Sequence, residues 1–252
     1  LVPLLGRVEV MKRAGTAAIG MLAILVGGAA SGHEISAQSD PSKPAAFDIT
    51  RAQATTDGRL ATFIMEVTGT AGSQKPTPMG RLQGAKVDAY VWPTQLDPGT
   101  VGFEPRSGIL ALAVTAHPDF DDTPLFDENN DGILDNDGAN WHSHWVVLGE
   151  DTACAGGLKV RDISPGQDAL PATALMLPIA LDSPGMSPIL DGSRVRLTVP
   201  VKGAEGVAFD AVTAELQVHP KEGGTPFLCV VGVYKTASGD LSYPGRITRE
   251  QR

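Results

Sequence analysis

Aromatic side chains are scarce: Phe, Tyr and Trp together make up 5% of the chain. That is thin for a carbohydrate cleft built on stacking platforms, for which Tyr90, Trp92 and Trp141 are the obvious candidates. Basic charge is also short. Lys and Arg number 20 against 29 Asp and Glu, a net of −9, a balance that repels nucleic acid and anionic lipid and favours cations. The sequence has no Gly-rich phosphate loop, no Gly-x-Ser-x-Gly elbow and no Cys-x-x-Cys pair, so the common phosphate, serine-hydrolase and dithiol chemistries lack their signatures. No segment holds a helical period over three turns, and beyond residue 37 no apolar run is long enough to cross a bilayer.

Only two cysteines are present, Cys154 and Cys229. They are expected to form one disulfide, because the N-terminus reads as an export signal. Met11-Lys12-Arg13 supplies a positive start and residues 14–30 a small apolar core. Ala30 and Ala37 are both suitable cleavage points. Residues 1–37 are therefore set apart as upstream sequence and signal. The remainder is expected to be exported, periplasmic or extracellular, where disulfides persist. Residues 38–46, rich in Ser, Pro and Lys, read as a flexible N-terminal arm.

From residue 47 to 252 the pattern is that of one β domain. Ala61, Phe63, Met65 and Val67 alternate with polar or outward positions, and Asp57-Gly58 precedes them as a hairpin turn. Residues 109–116 form an unbroken apolar run, as in a strand covered on both faces. Residues 86–92, 141–148, 158–163, 195–201, 209–218 and 227–234 are further strand candidates. Short strands separated by many of the 29 Gly and 19 Pro predict an all-β fold. The expected form is a β-sandwich of immunoglobulin-like or jelly-roll type with long decorated loops.

The most concentrated chemistry lies between residues 117 and 145. Asp127, Asn129 and Asp131 stand at alternate positions, Gly132 follows for a sharp turn, Ile133 can offer its carbonyl, and Asp135 and Asp137 come next. Oxygen donors at this spacing let a short loop wrap a hard cation such as calcium, which takes six to eight oxygens. The order Asp-x-Asn-x-Asp-Gly-x-x-Asp-x-Asp-Gly resembles the calcium repeats of thrombospondin type 3 and, less closely, dockerin loops. The likeness covers residues 127–138 and implies a ligand loop rather than a fold. Gly138 stands where an EF-hand loop has its bidentate acid, and Asp119, Asp121 and Asp122 are available upstream to complete a shell. Without a cation, the segment reads as a solvated acidic turn.

Immediately after comes Trp141-His142-Ser143-His144-Trp145. On a strand, His142 and His144 face one side while Trp141, Ser143 and Trp145 face the other. Two imidazoles so placed suit zinc, copper or iron. His117 is the leading third ligand, with Glu150, His219 and Asp119 as alternatives. His144 could instead support the acidic loop by donating to Asp135 or Asp137. The tetrapeptide from His142 to Trp145 is similar to the His-x-His-Trp strand of α-carbonic anhydrases, whose third His lies closer than His219 does here. Cupins place Glu three or four residues after His-x-His, and here five residues precede Glu150.

Divalent cations are therefore the expected partners. The first expectation is a binding or accessory protein with a calcium-type loop beside a His site. A metalloenzyme activating water or oxygen at the His site is the second, and a structural envelope component stapled by calcium is the third. Ser143, His117 and Asp119 could also be assembled into a nucleophilic triad, although nothing in the sequence prefers it.

Overall fold

One sheet contains strands that are buried on both faces, and this double burial gives the architecture its form. The computed structural model describes residues 34–164, 166–174, 177–219 and 225–250. Most of the expected signal segment lies outside these residues. The described residues belong to one compact unit.

In chain order the strands are β1 (Glu34–Ser36), β2 (Ile49–Thr56), β3 (Leu60–Val67), β4 (Lys86–Pro93), β5 (Ile109–Ala116), β6 (His142–Glu150), β7 (Leu158–Val160) and β8 (Leu181–Asp182). They continue with β9 (Ile189–Asp191), β10 (Arg194–Pro200), β11 (Ala208–Phe209), β12 (Val212–Val218), β13 (Leu228–Thr236), β14 (Gly245–Arg246) and β15 (Thr248–Arg249). The first sheet runs β1-β2-β3-β10-β9, with β15 added parallel to β2. The second runs β5-β4-β12-β13-β7-β6-β8 and, because β5 also pairs with β6, closes on itself. β11 and β14 form a small ribbon.

The all-β expectation is met, but the sandwich describes only part of the molecule. The first sheet does pack face to face with β4, β5 and β6. Phe63, Met65, Val195 and Leu197 on one side share a core with Trp92, Leu112 and Trp145 on the other. The second sheet, however, is a six-stranded barrel made of β4, β5, β6, β7, β13 and β12. Alternate residues of β4, β5 and β6 supply both interiors. Leu110, Leu112 and Val114 enter the inter-sheet core, whereas Ala111 and Ala113 enter the barrel. This two-sided burial is why residues 109–116 carry no polar alternation.

Residues 38–46, expected as a flexible arm, are tied down at both ends. β1 pairs with β2 just before them, and Ala37 N–H donates to Thr50 O. Phe47 is fully buried and stacks on Tyr234 with ring centroids 4.5 Å apart. Between them, Asp48 accepts from Asp40 N–H. A Ser/Pro-rich composition reads as loop, and long-range anchors of this kind leave no local signature.

The barrel has a weak seam. β13 meets β7 at a single residue pair, Cys229 with Lys159. The disulfide Cys154–Cys229 crosses this seam, linking the β6–β7 turn to β13. Gly156 lets the turn approach: a Cβ there would sit 2.8 Å from Val230 O, and Gly156 N–H donates to that carbonyl. The bridge spans a sequence separation of 75.

The barrel interior is not filled. A cavity of about 660 Å³ runs along it, bounded by small residues such as Ala89, Ala113 and Ala214 alongside Val146, Leu216 and Val230. The cavity is partly open to solvent, with the exposed Leu82 and Val233 among its lining residues.

Two stability predictions follow. Replacing Cys154 and Cys229 together by Ser lowers unfolding free energy by about 4 kcal/mol on the chain-entropy scale. Urea denaturation of the oxidised wild type and the double variant reads this directly, and equal midpoints would reject the seam-staple role. The second prediction concerns Asp88, which is buried beside Tyr234, whose hydroxyl donates to it at 2.9 Å. Burial pushes the Asp88 carboxyl up to about 6, with the Tyr234 hydrogen bond opposing. A carboxyl raised in the folded state contributes stability that is full below the unfolded value of 3.8 and lost as pH rises through about 6. Asp88→Asn therefore stabilises the protein above pH ~6, by up to about 3 kcal/mol, and gains nothing below pH ~4. A difference that does not vary with pH would exclude this cause.

Candidate metal centre

The β5–β6 pairing fixes the first two ligands. Ala113 pairs with His144 and Thr115 with His142, so the two imidazoles share the barrel side. Trp145 goes to the inter-sheet core, and Ser143 Oγ donates to Met186 O. The facing expected for residues 141–145 is thus observed, and Ser143 is turned away from any triad with His117.

The remaining two ligands come from residues 117–141, the connection between β5 and β6. His117 directly follows β5, its N–H donates to Gly138 O at 2.6 Å, and its ring stacks on Phe120 at 4.2 Å. The tight turn through Phe120 then delivers Asp122 to the same point. Gly138 is required by closeness rather than by ligation. A Cβ there would overlap Phe120 O and come within 2.6 Å of His117 O.

Four ligand atoms converge. Asp122 Oδ1 lies 3.2 Å from His117 Nε2, 3.3 Å from His142 Nε2 and 3.5 Å from His144 Nε2. His117 Nε2 and His142 Nε2 are 2.8 Å apart. All four atoms lie within 4.8 Å of one another, and all four residues are buried. A tetrahedral ion with bonds of about 2.0–2.1 Å needs ligand separations of about 3.3–3.4 Å, so the cluster is close to the required size.

The outer nitrogens are committed elsewhere. His117 Nδ1 donates to Phe120 O at 2.8 Å and His142 Nδ1 to Asn140 O at 2.7 Å. Carbonyls only accept, so in their neutral forms these rings point bare Nε2 lone pairs at each other. His144 Nδ1 is held by Ser183 Oγ at 2.8 Å. Asp122 Oδ1 and His144 Nε2 are buried without a hydrogen-bond partner. Facing lone pairs at hydrogen-bond distance repel unless a proton or a metal ion lies among them.

The electrostatics favour a neutral His144 beside an ionised Asp122 carboxylate. Burial drives His144 down, to about 3, with His142 and His117 adding to the fall against the pull of Asp122. Burial also pulls on His117, but the Asp122 carboxylate outweighs it and the net shift is upward. Burial acts to raise Asp122, yet His144 and His117 hold it well below the usual carboxylate range. One anionic oxygen and an imidazole that resists protonation are a donor set suited to a borderline metal.

The expected alternatives lie elsewhere. Asp119 Oδ1 accepts from Met79 and Gly80 N–H. Glu150 is exposed at the far end of β6, and His219 is not in the cluster. His144 makes its bond to Ser183 rather than to Asp135 or Asp137. The fourth ligand, Asp122, is foreseen in the sequence only as a supplement to the acidic loop. Three carboxylates follow His117 within five positions, and the Phe120 turn decides which one points inward.

The acidic loop takes a different form. Asn129, Asp131, Ile133 and Asp135 are exposed. Asp127 accepts from Asp131 and Gly132 N–H, Asn129 Oδ1 from Asp131 N–H, and Asp131 Oδ1 from Ile133 N–H. Asp137 is buried and binds the loop together, accepting from Glu128 N–H and Asn140 Nδ2 while its own N–H donates to Asp121. Among the described residues, the one converging group of three or more His, Cys, Asp or Glu is the His/Asp cluster.

Comparison with protein-family models, curated proteins and solved structures finds no match to this chain. Its function must therefore be argued from the centre itself.

The Ser183 contact gives a prediction. Ser183→Ala removes the group that orients His144 without touching a ligand, and metal affinity should fall by roughly 10–100-fold with the fold intact. Competition with a chromophoric chelator measures it; unchanged affinity would show that Ser183 does not orient the ring.

Proposed function

We propose that this chain is an exported metal-binding protein whose centre is His117, Asp122, His142 and His144, with a binding or accessory role. The observation that carries the proposal is the convergence of three Nε2 atoms and one carboxylate oxygen on a buried point, with the outer imidazole nitrogens already bonded. Three imidazole nitrogens and one carboxylate oxygen favour zinc, with copper and iron as the other borderline candidates. Four protein ligands complete a tetrahedron, which is the arrangement of a structural or storage site. An ion there would hold residues 117–122 against the barrel wall.

The Cys154–Cys229 disulfide supports an oxidising compartment, periplasmic or extracellular. Among the described residues no helix is long and apolar enough to cross a membrane. Calcium at Asp127, Asn129, Asp131, Ile133, Asp135 and Asp137 remains part of the proposal, supported by the oxygen donor set of that loop. A catalytic reading is favoured by one observation: His117, Asp122 and His144 border the barrel cavity, from which a fifth ligand could reach the ion.

Elemental analysis of untagged protein tests the centre. About one equivalent of zinc, copper or iron is expected, lost in His144→Ala, and chelation should lower the melting temperature. Less than about a tenth of an equivalent, with no gain on reconstitution, would overturn the proposal. In the same experiment, a melting temperature unmoved by millimolar calcium would remove calcium from it.

A further inference from the structure

The barrel cavity is larger and more apolar than a metal site needs. It runs from the His117, Asp122 and His144 end past Ala89, Ala214 and Val230 to Pro93, Thr236 and Leu241. Its volume of about 660 Å³ falls within the range of small-molecule sites, roughly 300–1,000 Å³. The space is built into the sequence. β4, β5 and β12 place Ala89, Ala113 and Ala214 where a well-packed small barrel would carry larger side chains to fill its interior.

The lining determines the class of ligand. Among the described residues it contains no Lys and no Arg, so an anionic head group would meet no ammonium or guanidinium group there. The charged residues on the wall are Asp121 and Asp122, both at the His end, and they oppose an anion. Water makes few hydrogen bonds along most of this wall, because the lining is apolar. Polar contacts are confined to the His end and to Thr236 near the other. The wall therefore matches a molecule that is hydrocarbon over most of its length and has at most an uncharged polar terminus.

We propose that the interior of the barrel is a binding cavity for a neutral, mainly hydrocarbon small molecule of the fatty-alcohol type. The site does not depend on an ion in the His/Asp cluster, since the apolar wall is formed by the strands themselves. A ligand there would fill the space that the small side chains leave between the His end of the wall and Thr236.

The test uses the full-length protein delipidated with organic solvent and refolded under oxidising conditions. The probe is the neutral dye N-phenyl-1-naphthylamine, and dodecanol and dodecanoate serve as competitors. Saturable binding near one dye per chain is expected, with dodecanol displacing the dye at least about tenfold better than dodecanoate. Ala214→Leu and Ala89→Leu, made separately, fill the cavity. Each should weaken dye binding by about tenfold or more while leaving metal content unchanged and the melting temperature equal or higher. Absence of saturable binding by the wild type would overturn the proposal, as would displacement favouring dodecanoate or full binding by both folded variants. If the leucine variants do not fold, the dodecanol and dodecanoate titrations of the wild type decide alone. Metal content is read on the same samples, and a dye result that persists after chelation separates this site from the metal centre.

Discussion

Four electron-pair donors aimed at one buried point form the constraint around which the site is arranged. An anionic oxygen and three imidazole nitrogens removed from water are unfavourable unless something positive lies among them. The protein has nevertheless fixed them from behind. Phe120 O and Asn140 O take the outer nitrogens of His117 and His142, and Ser183 takes that of His144. Each of these contacts removes a rotation that would let a ring turn away. A cluster held in place against its own repulsion is what a preorganised ion site requires.

The same constraint gives the β5–β6 connection its shape. His117 and Asp122 reach the centre only because the chain turns sharply at Phe120 and because Gly138 lets the returning segment lie against that turn. Asp137, in an acidic stretch, is buried and gathers residues 121, 128 and 140 through hydrogen bonds. Part of what looks like a cation-binding loop is thus a scaffold for the neighbouring cluster. Asp127, Asn129 and Asp131 remain at the surface, where their oxygens shape the turn.

Much of this was legible in the sequence, for definite reasons. Alternation at residues 61–67 and 195–201 marked strands with one wet face, and the structure pairs them directly. The unbroken run at 109–116 marked double burial. The His-x-His spacing placed two rings on one side, and His117 at the end of that run made it the natural third. Barrel closure was not legible, because pairing of β5 with β6 and of β7 with β13 leaves no periodicity of its own. For residues 38–46 composition reports local preference, whereas Phe47, which follows them, is held by Tyr234, far along the chain. Asp122 was hidden among Asp119 and Asp121, since only the turn geometry distinguishes them.

The centre and the cavity impose compatible demands on charge. A divalent ion bound by neutral imidazoles and Asp122 would carry one net positive charge into an apolar interior. Asp121 stands beside it, its oxygens held by Thr123 and by Asp137 N–H, so the ion's charge is balanced within the protein. The end of the barrel is then electrically close to neutral and does not call for an anionic ligand. A neutral occupant leaves that balance undisturbed, whereas a carboxylate would add an uncompensated charge at low dielectric. The two proposed sites are therefore compatible within one barrel, where an ion at the His end would hold residues 117–122 in place and a ligand would fill the space that small side chains leave.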